Sequence, residues 1–311
     1  MIMQGELVKK LSEKMTFTEL VKTIDGISEK DFVKKVLKVG FSSNVIVDQA
    51  QYFFKKQGFL KNIDCQVLFG DYQTQFLNVQ KFIEKEVEVI ILQNLFDNIQ
   101  PSFESQILNL EDSKIFEIYD AFVSEMTLSL EAARNVKQVV IEKFFLINHL
   151  QGSHPSGRVL ATLDKFNKAL DGFSRKYANC TLLDPQPLVQ ASGGVSGSLN
   201  FRFYYHYKTP FSLSYWDNYA KEVLLTSRYG QTFFYKVLVL DCDNTLWGGV
   251  VGEDFVQGIQ LDPGQYPGSV FWRIQNEIVS LQKEGVLICL CSKNNLLDVD
   301  EVLEKHPFLI I

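Results

Sequence analysis

Two carboxylates one residue apart, Asp241 and Asp243, close a short apolar run, Val237–Leu240. Such a run reads as a buried parallel strand. Open α/β sheets bind ligands just past the carboxyl ends of their strands, so the acidic pair stands where such a sheet does chemistry. A strand period of two turns Asp241 and Asp243 to one side and Cys242 to the other. Carboxylates this close repel unless something neutralises them. A hard divalent cation such as Mg²⁺ is the simplest neutraliser, because it takes one or two carboxylates together with substrate phosphate. The matching chemistry is phosphoryl transfer. Asp241 would attack phosphorus, Asp243 would protonate the leaving group and then activate water, and the metal would hold charge on the phosphoryl oxygens. On residue types alone, an acidic strand-to-loop turn with capping duties is the alternative.

The elements around this pair are legible. A second apolar run at 286–291 predicts another strand, with Ser292 directly after it. Its hydroxyl could bond a phosphoryl oxygen or cap the next helix. Lys293 could meet a substrate anion or lie solvated in a loop. Between the strands, Phe271, Ile274, Ile278 and Leu281 recur at helical spacing over 269–284, and Gly285 ends the helix. This is a crossover unit of a parallel sheet. The last residues, 306–311, read as the next strand.

The stretch 241–254, DCDNTLWGGVVGED, resembles the first motif (D-x-D-x-[TV]) of the haloacid dehalogenase (HAD) superfamily, and more narrowly its FkbH-like branch. The C-S-K-N sequence at 291–294 is similar to that branch too. The resemblance implies a helical turn over 246–249 and a β-hairpin flap over 250–261, with Asp241 and Asp243 as catalytic and Mg²⁺-binding residues and Thr245, Ser292 and Lys293 at the substrate. It also implies two further motifs after later strands. By that measure 231–311 is the truncated N-terminal half of a HAD-type Rossmannoid domain. FkbH-like proteins include glyceryl transferases of polyketide assembly, which take a glyceryl unit from 1,3-bisphosphoglycerate and load it through a thioester on an acyl carrier protein. The resemblance makes Cys242 the candidate thiol and the carrier's phosphopantetheine arm the partner, whereas strand alternation turns Cys242 away as a small apolar filler. A phosphatase on another small phosphate ester and a carrier-protein binding module are the other readings.

Before this unit, apolar strands (36–40, 65–69, 87–92, 139–145, 181–183) alternate with helical stretches (47–56, 112–134, 158–177, 213–227). The pattern predicts a three-layer α/β/α domain over 35–230 with a parallel sheet. Residues 1–34 read as a helical segment, with a capping signature at Thr16 and Glu19. Ala191 to Asn200, with three glycines and three serines, reads as a mobile loop, and 154–157 as another. The domain resembles the SGNH-hydrolase, flavodoxin-like fold. That resemblance implies a nucleophile at Ser42 or Ser43, oxyanion donors at Gly70 and Asn94, and a base at His206. The Asp usual three residues before the His is Phe203 here, so nothing visible orients the imidazole. Loop or cap serines and a surface histidine are the alternative.

Composition bounds the rest. At 311 residues the chain has room for two domains. A net charge of −6 argues against a nucleic-acid binder working by bulk electrostatics. No apolar run approaches the roughly 18 residues that span a bilayer, and the start lacks a signal-peptide core. Five cysteines without a paired framework or a C-x-x-C point to a reducing cytoplasm.

Overall fold

The structure is a computed structural model that describes residues 2–13, 15–27, 35–72, 74–147, 156–227 and 236–311. It divides into two compact units, Met1–Thr232 and Phe233–Ile311. The expected loop at 154–157 falls mostly outside the described residues, which resume at Ser156, the N-cap of a helix.

The first unit is an α/β domain on a five-stranded parallel sheet. Its strands are β1 (Lys35–Ser43), β2 (Ile63–Phe69), β3 (Val89–Gln93), β4 (Gln138–Glu142) and β5 (Cys180–Leu183), in the order β2-β1-β3-β4-β5. All four pairings are parallel. β3 and β4 are buried at every position because helices cover both faces. Alternation sorts the side chains into two cores. Leu37, Val39 and Phe41 of β1, Val89 and Ile91 of β3 and Val140 of β4 face one core; Ile90, Leu92, Val139 and Ile141 face the other.

Helices fill both layers. α1 (Ile2–Ser12) and α2 (Phe17–Asp25) open the chain, followed by α3 (Ala50–Leu60), α4 (Gln75–Glu84), α5 (Phe103–Gln106), α6 (Asp112–Ala132) and α7 (Gly157–Lys176). The short helices α8 (Gln186–Ala191), α9 (Gly194–Ser198) and α10 (Phe201–Tyr207) precede α11 (Leu213–Thr226). The Thr16 hydroxyl and the Glu19 carboxylate cap α2 reciprocally. Leu20 and Ile24 of α2 and Leu11 of α1 are buried in the first core, and Phe17 sets its ring against Tyr52 and Phe53 of α3. Gly40 of β1 faces the other core, where a Cβ would stand 2.5 Å from the Phe82 ring.

The glycine- and serine-rich stretch at 191–200 is ordered structure rather than a mobile loop. Gly193 and Gly194 take left-handed conformations (φ +94° and +77°), which start α9. The fully buried Ser198 hydroxyl donates to Gly194 O and Val189 O, and the Asn200 side chain caps α10.

The second unit pairs β6 (Val237–Leu240) with β7 (Leu287–Leu290) in parallel. Around them lie α12 (Val251–Gly258), α13 (Gly268–Lys283) and α14 (Leu296–Lys305). Leu238, Leu240 and Ile288 pack on a core that includes Cys242, Leu246, Trp247, Ile278, Val299 and Val302. Val237, Val239 and Leu287, of opposite parity, are exposed.

Two expectations are corrected here. The flap at 250–261 is not a β-hairpin. Its core is α12, whose first turn is set by Asp254 accepting from Val250 N, 2.8 Å, and which breaks at Phe255 (φ +56°). Only one antiparallel bridge, Gly248 with Gln260, closes the loop. Residues 306–311 also form no strand: Leu309 N–H turns back to His306 O and Ile310 N–H is taken by the Gln275 side chain rather than by β7.

The first core contains a buried carboxyl, Glu142, at the end of β4. Gln93 and the hydroxyls of Tyr215 and Tyr219 surround it, but only Tyr215 reaches hydrogen-bond geometry, 2.8 Å. Burial raises this carboxyl from its ordinary 4.5 to about 7, against the pull of the Tyr215 hydroxyl. The folded chain therefore holds the proton more tightly than the unfolded one. This contribution favours folding most below about pH 4.5, is lost as pH rises to about 7, and stays lost above. Glu142→Gln should remove that decline and exceed the wild type by about 3 kcal/mol at pH 8 while matching it at low pH. Urea unfolding at pH 4 and pH 8 reads this out; parallel wild-type and variant curves would show that Glu142 is not the titrating group.

Candidate active site

β6 delivers the acidic pair into a tight turn. Leu246 N–H and Thr245 N–H both bond back to Cys242 O, and Asn244 takes a left-handed conformation (φ +54°) with its Oδ1 accepting from Gly249 N. Asn is among the few residues that adopt this conformation readily. Asp241 is exposed, and its Oδ1 accepts from Cys242 N, 2.8 Å. Asp243 is half-buried. Its Oδ1 accepts from the indole Nε1 of Trp247, 3.0 Å, and from Val251 N, 3.2 Å. Trp247 is fully buried, so its indole N–H must find an acceptor inside the unit.

A second buried polar side chain holds the far side of the turn. Gln275 of α13 is 0% exposed; it donates to Leu246 O, 2.8 Å, and accepts from Ile310 N, 3.1 Å. Neither Trp247 nor Gln275 stood out in the sequence as a functional residue. Trp247 sits four residues after Asp243, and that spacing is the one signal that could have been read. Gln275 lies on a helix whose apolar periodicity masks it.

The remaining candidates are distributed as follows. Thr245 follows the pair in the same turn and is half-buried. Ser292 stands one residue beyond Cys291, which follows β7, and accepts from Asn294 N, 3.3 Å. Lys293 is exposed beside it. Cys242 is placed in the core, 0% exposed among Leu246, Trp247 and Val299. Burial pushes its thiol above the ordinary value, the Ser292 hydroxyl opposes the rise, and the neighbouring carboxylates of Asp241 and Asp243 add to it. Thiolate is the reactive form of cysteine, and burial together with the neighbouring carboxylates disfavours it here.

A Mg²⁺ ion suits the donor set. Asp241 and Asp243 offer hard carboxylate oxygens, each with one oxygen outside the hydrogen bonds named above. Among the described residues no group of three or more His, Cys, Asp or Glu side chains gathers at one point. The two aspartates would therefore be this chain's share, with water and phosphate oxygens completing the shell.

The first unit has its own cleft, at the carboxyl ends of β1 and β3, where the order of strands reverses. Ser42, Ser43 and Asn94 line it. Ser42 Oγ accepts from Asn78 Nδ2, 3.0 Å, and Ser43 Oγ from Val45 N, 3.2 Å. Asn94 Nδ2 donates to Gln75 Oε1, 2.9 Å. Gly70 does not join them. Its N–H bonds to Phe41 O, and a Cβ there would stand 2.4 Å from the Asn78 side chain. Gly70 thus makes room for Asn78, which holds Ser42. His206 is likewise apart, exposed on α10 beside Tyr207 and absent from the cleft lining. Its helix turns inward the preceding Tyr204, whose hydroxyl donates to the buried Asp97, 2.9 Å. Among the described residues no imidazole lines the cleft beside the serines.

No family profile matches this sequence, and no curated protein does. The fold is similar to that of the N-terminal part of the protein BF1531 from Bacteroides fragilis, a crystal structure containing a phosphatase domain complexed with Mg. The TM-score is 0.78 at 21% identity, over 96% of this chain and 79% of that one. A member of the lipolytic protein G-D-S-L family from Veillonella parvula is similar over 62% of this chain and 99% of its own, at 15% identity and a TM-score of 0.39. At these identities the first likeness establishes the arrangement of the fold.

The placement of the cysteines gives a direct expectation. Cys289 and Cys291 are exposed, while Cys65, Cys180 and Cys242 are buried. Burial raises the thiols of Cys65 and Cys180 to about 12. Brief iodoacetamide treatment of native protein should alkylate Cys289 and Cys291 and spare the other three until denaturant is added, as peptide mass mapping would report. Rapid native labelling of Cys242 would mean that the β6 turn opens in solution.

Proposed function

We propose that the second unit is a Mg²⁺-assisted phosphoryl-transfer site acting on a small phosphate ester. The observation that supports this is the carboxylate pair at the end of β6, with Asp243 anchored by Trp247 and Val251 N and Asp241 open to solvent. In this reading Asp241 attacks phosphorus as the bond to the leaving oxygen breaks, giving an aspartyl phosphate. Asp243 donates a proton to the leaving oxygen, then takes one from the water that hydrolyses the aspartyl phosphate. The indole and backbone N–H groups keep that carboxylate in place for both steps. Bound Mg²⁺ supplies charge neutralisation at the phosphoryl oxygens. Thr245, Ser292 and Lys293 lie on the loops after β6 and β7, the end of a parallel sheet where substrate is expected.

The finer reading carried by the FkbH-like resemblance uses the same carboxylates. The Cys242 thiol would displace the acyl phosphate of 1,3-bisphosphoglycerate to form a thioester, the carboxylates would remove the remaining phosphate with water, and the thiol of the carrier's phosphopantetheine arm would then take the glyceryl group, releasing Cys242. That route needs Cys242 brought out of the core, so it is the less supported of the two. Among the described residues no helix is long and apolar enough to cross a membrane, and a reducing cytoplasm remains our proposal from cysteine usage.

Phosphate release from a panel of small phosphate esters should require Mg²⁺, stop on addition of EDTA, and fall about a thousandfold or more in Asp241→Asn. Trp247→Phe should lower the rate by about tenfold, measured well below its unfolding temperature, because the N–H to Asp243 is lost; part of the buried ring is lost with it, so thermal stability should fall as well. Release that survives Asp241→Asn, or none from any ester, would sink the reading. With 1,3-bisphosphoglycerate, a glyceryl mass adduct lost in Cys242→Ala would establish the transferase version.

A further inference from the structure

The cleft between β1 and β3 is not used by the phosphoryl-transfer reading, yet it is a built cavity. Its volume is about 460 Å³, within the range of small-molecule sites. Charge comes first in deciding what fits. Among the described residues Glu125, exposed on α6, is the one charged side chain of the lining, and no Lys, Arg or His contributes to it. A phosphate or carboxylate would find no counter-charge there and would meet a like charge at the rim.

The polar groups come next. Gln75 is buried and fixed, its Nε2 donating to Met126 Sδ, 3.1 Å, and Ser129 Oγ, 3.2 Å, and its Oε1 accepting from Asn94. Asn94 Oδ1 is left as an acceptor facing no protein donor among the described residues. Because Ser42 and Ser43 accept through their oxygens, each keeps a hydroxyl hydrogen to donate. Asn44 and Asn98 add further buried amides: the Asn44 side chain is tied to Leu95 N and O, and Asn98 Nδ2 donates to the backbone carbonyl of Asn44 and to the Tyr72 hydroxyl. The α6 side is apolar, with Ile118, Phe122 and Met126. Amide and hydroxyl groups on one side and an aromatic face on the other suit a ring that has polar edges and an apolar face. With no imidazole beside Ser42 or Ser43 among the described residues, the serines are read as hydrogen-bonding groups.

We propose that this cavity binds an uncharged sugar ring carrying hydroxyl and amide groups, an N-acetylated hexosamine, and holds it without hydrolysis. The test uses the whole chain and two probes, N-acetylglucosamine and its 6-phosphate, followed by calorimetry or ligand-observed NMR. The neutral probe should bind saturably and the phosphorylated one about fivefold or more weakly. Phe122→Ala and Asn94→Ala should each weaken the neutral probe by about fivefold or more, with thermal unfolding recorded alongside. Glu125→Gln, on an exposed rim, should leave folding intact and narrow the preference against phosphate. Absence of saturable N-acetylglucosamine binding, or tighter binding of the phosphorylated probe, would overturn the proposal. So would turnover of p-nitrophenyl acetate that Ser42→Ala removes, which would make the cleft a hydrolase site.

Discussion

The bond between the buried indole of Trp247 and the carboxylate of Asp243 joins chemistry to folding in the second unit. An indole N–H taken out of water must be paired, and the acceptor here is one of the two groups that could handle a proton. Burying Trp247 therefore fixes the carboxylate. The same turn fixes its neighbours: Asp241 is left at the surface, Cys242 is turned under, and Leu246 O is caught by Gln275. Because Gln275 also holds Ile310 N, the turn, α13 and the segment after α14 share one buried amide. Losing it would leave two backbone groups unpaired in a nearly dry interior, at a cost of about 1–3 kcal/mol each.

Much of this was legible in the residues, and the reasons are local. Strand alternation separates Asp241 and Asp243 from Cys242 whatever surrounds them, since successive side chains of extended backbone point opposite ways. The strands of the first unit are apolar runs bounded by polar residues, and helices on both faces make such runs readable. Thr16 and Glu19 specify a helix start within four residues. What was not legible depended on distant partners. Gly70 suggests an oxyanion donor by position, whereas its lack of a Cβ serves Asn78. His206 is placed by a helix that presents Tyr204 inward instead. The stretch at 191–200 has the composition of a linker, but the buried Ser198 hydroxyl reaches Gly194 O and Val189 O and Asn200 caps α10. The expected hairpin after the acidic turn became α12 because Asp254 caps it.

Glu142 and Asn94 stand just past or at the ends of adjacent strands and follow the same rule under different conditions. Glu142 ends β4 inside the core, where its charged form is penalised and its neighbours are tyrosine hydroxyls. Asn94 follows β3 at the cleft, uncharged and pinned by Gln75, with an oxygen to spare. A carboxylate can act on a ligand only where water or a cation offsets its charge, and an amide needs neither. The first unit keeps its one buried strand-end carboxyl out of the cleft and lines the cleft with amides and hydroxyls.

The second unit makes the opposite choice. Its two strand-end carboxylates are not buried away from water, and Asp243 carries N–H donors but no cationic side chain within ion-pair distance among the described residues. Such a pair is poised for a hard cation and a phosphoryl group, which together supply the missing positive charge and the electrophile. Cys242 sits at the point where these requirements conflict. A thiolate beside two carboxylates would add a third negative charge to a site already short of positive charge, and the structure avoids this by folding the thiol into the core. In the proposed reading, any use of the thiol would first require the carboxylate pair to be neutralised.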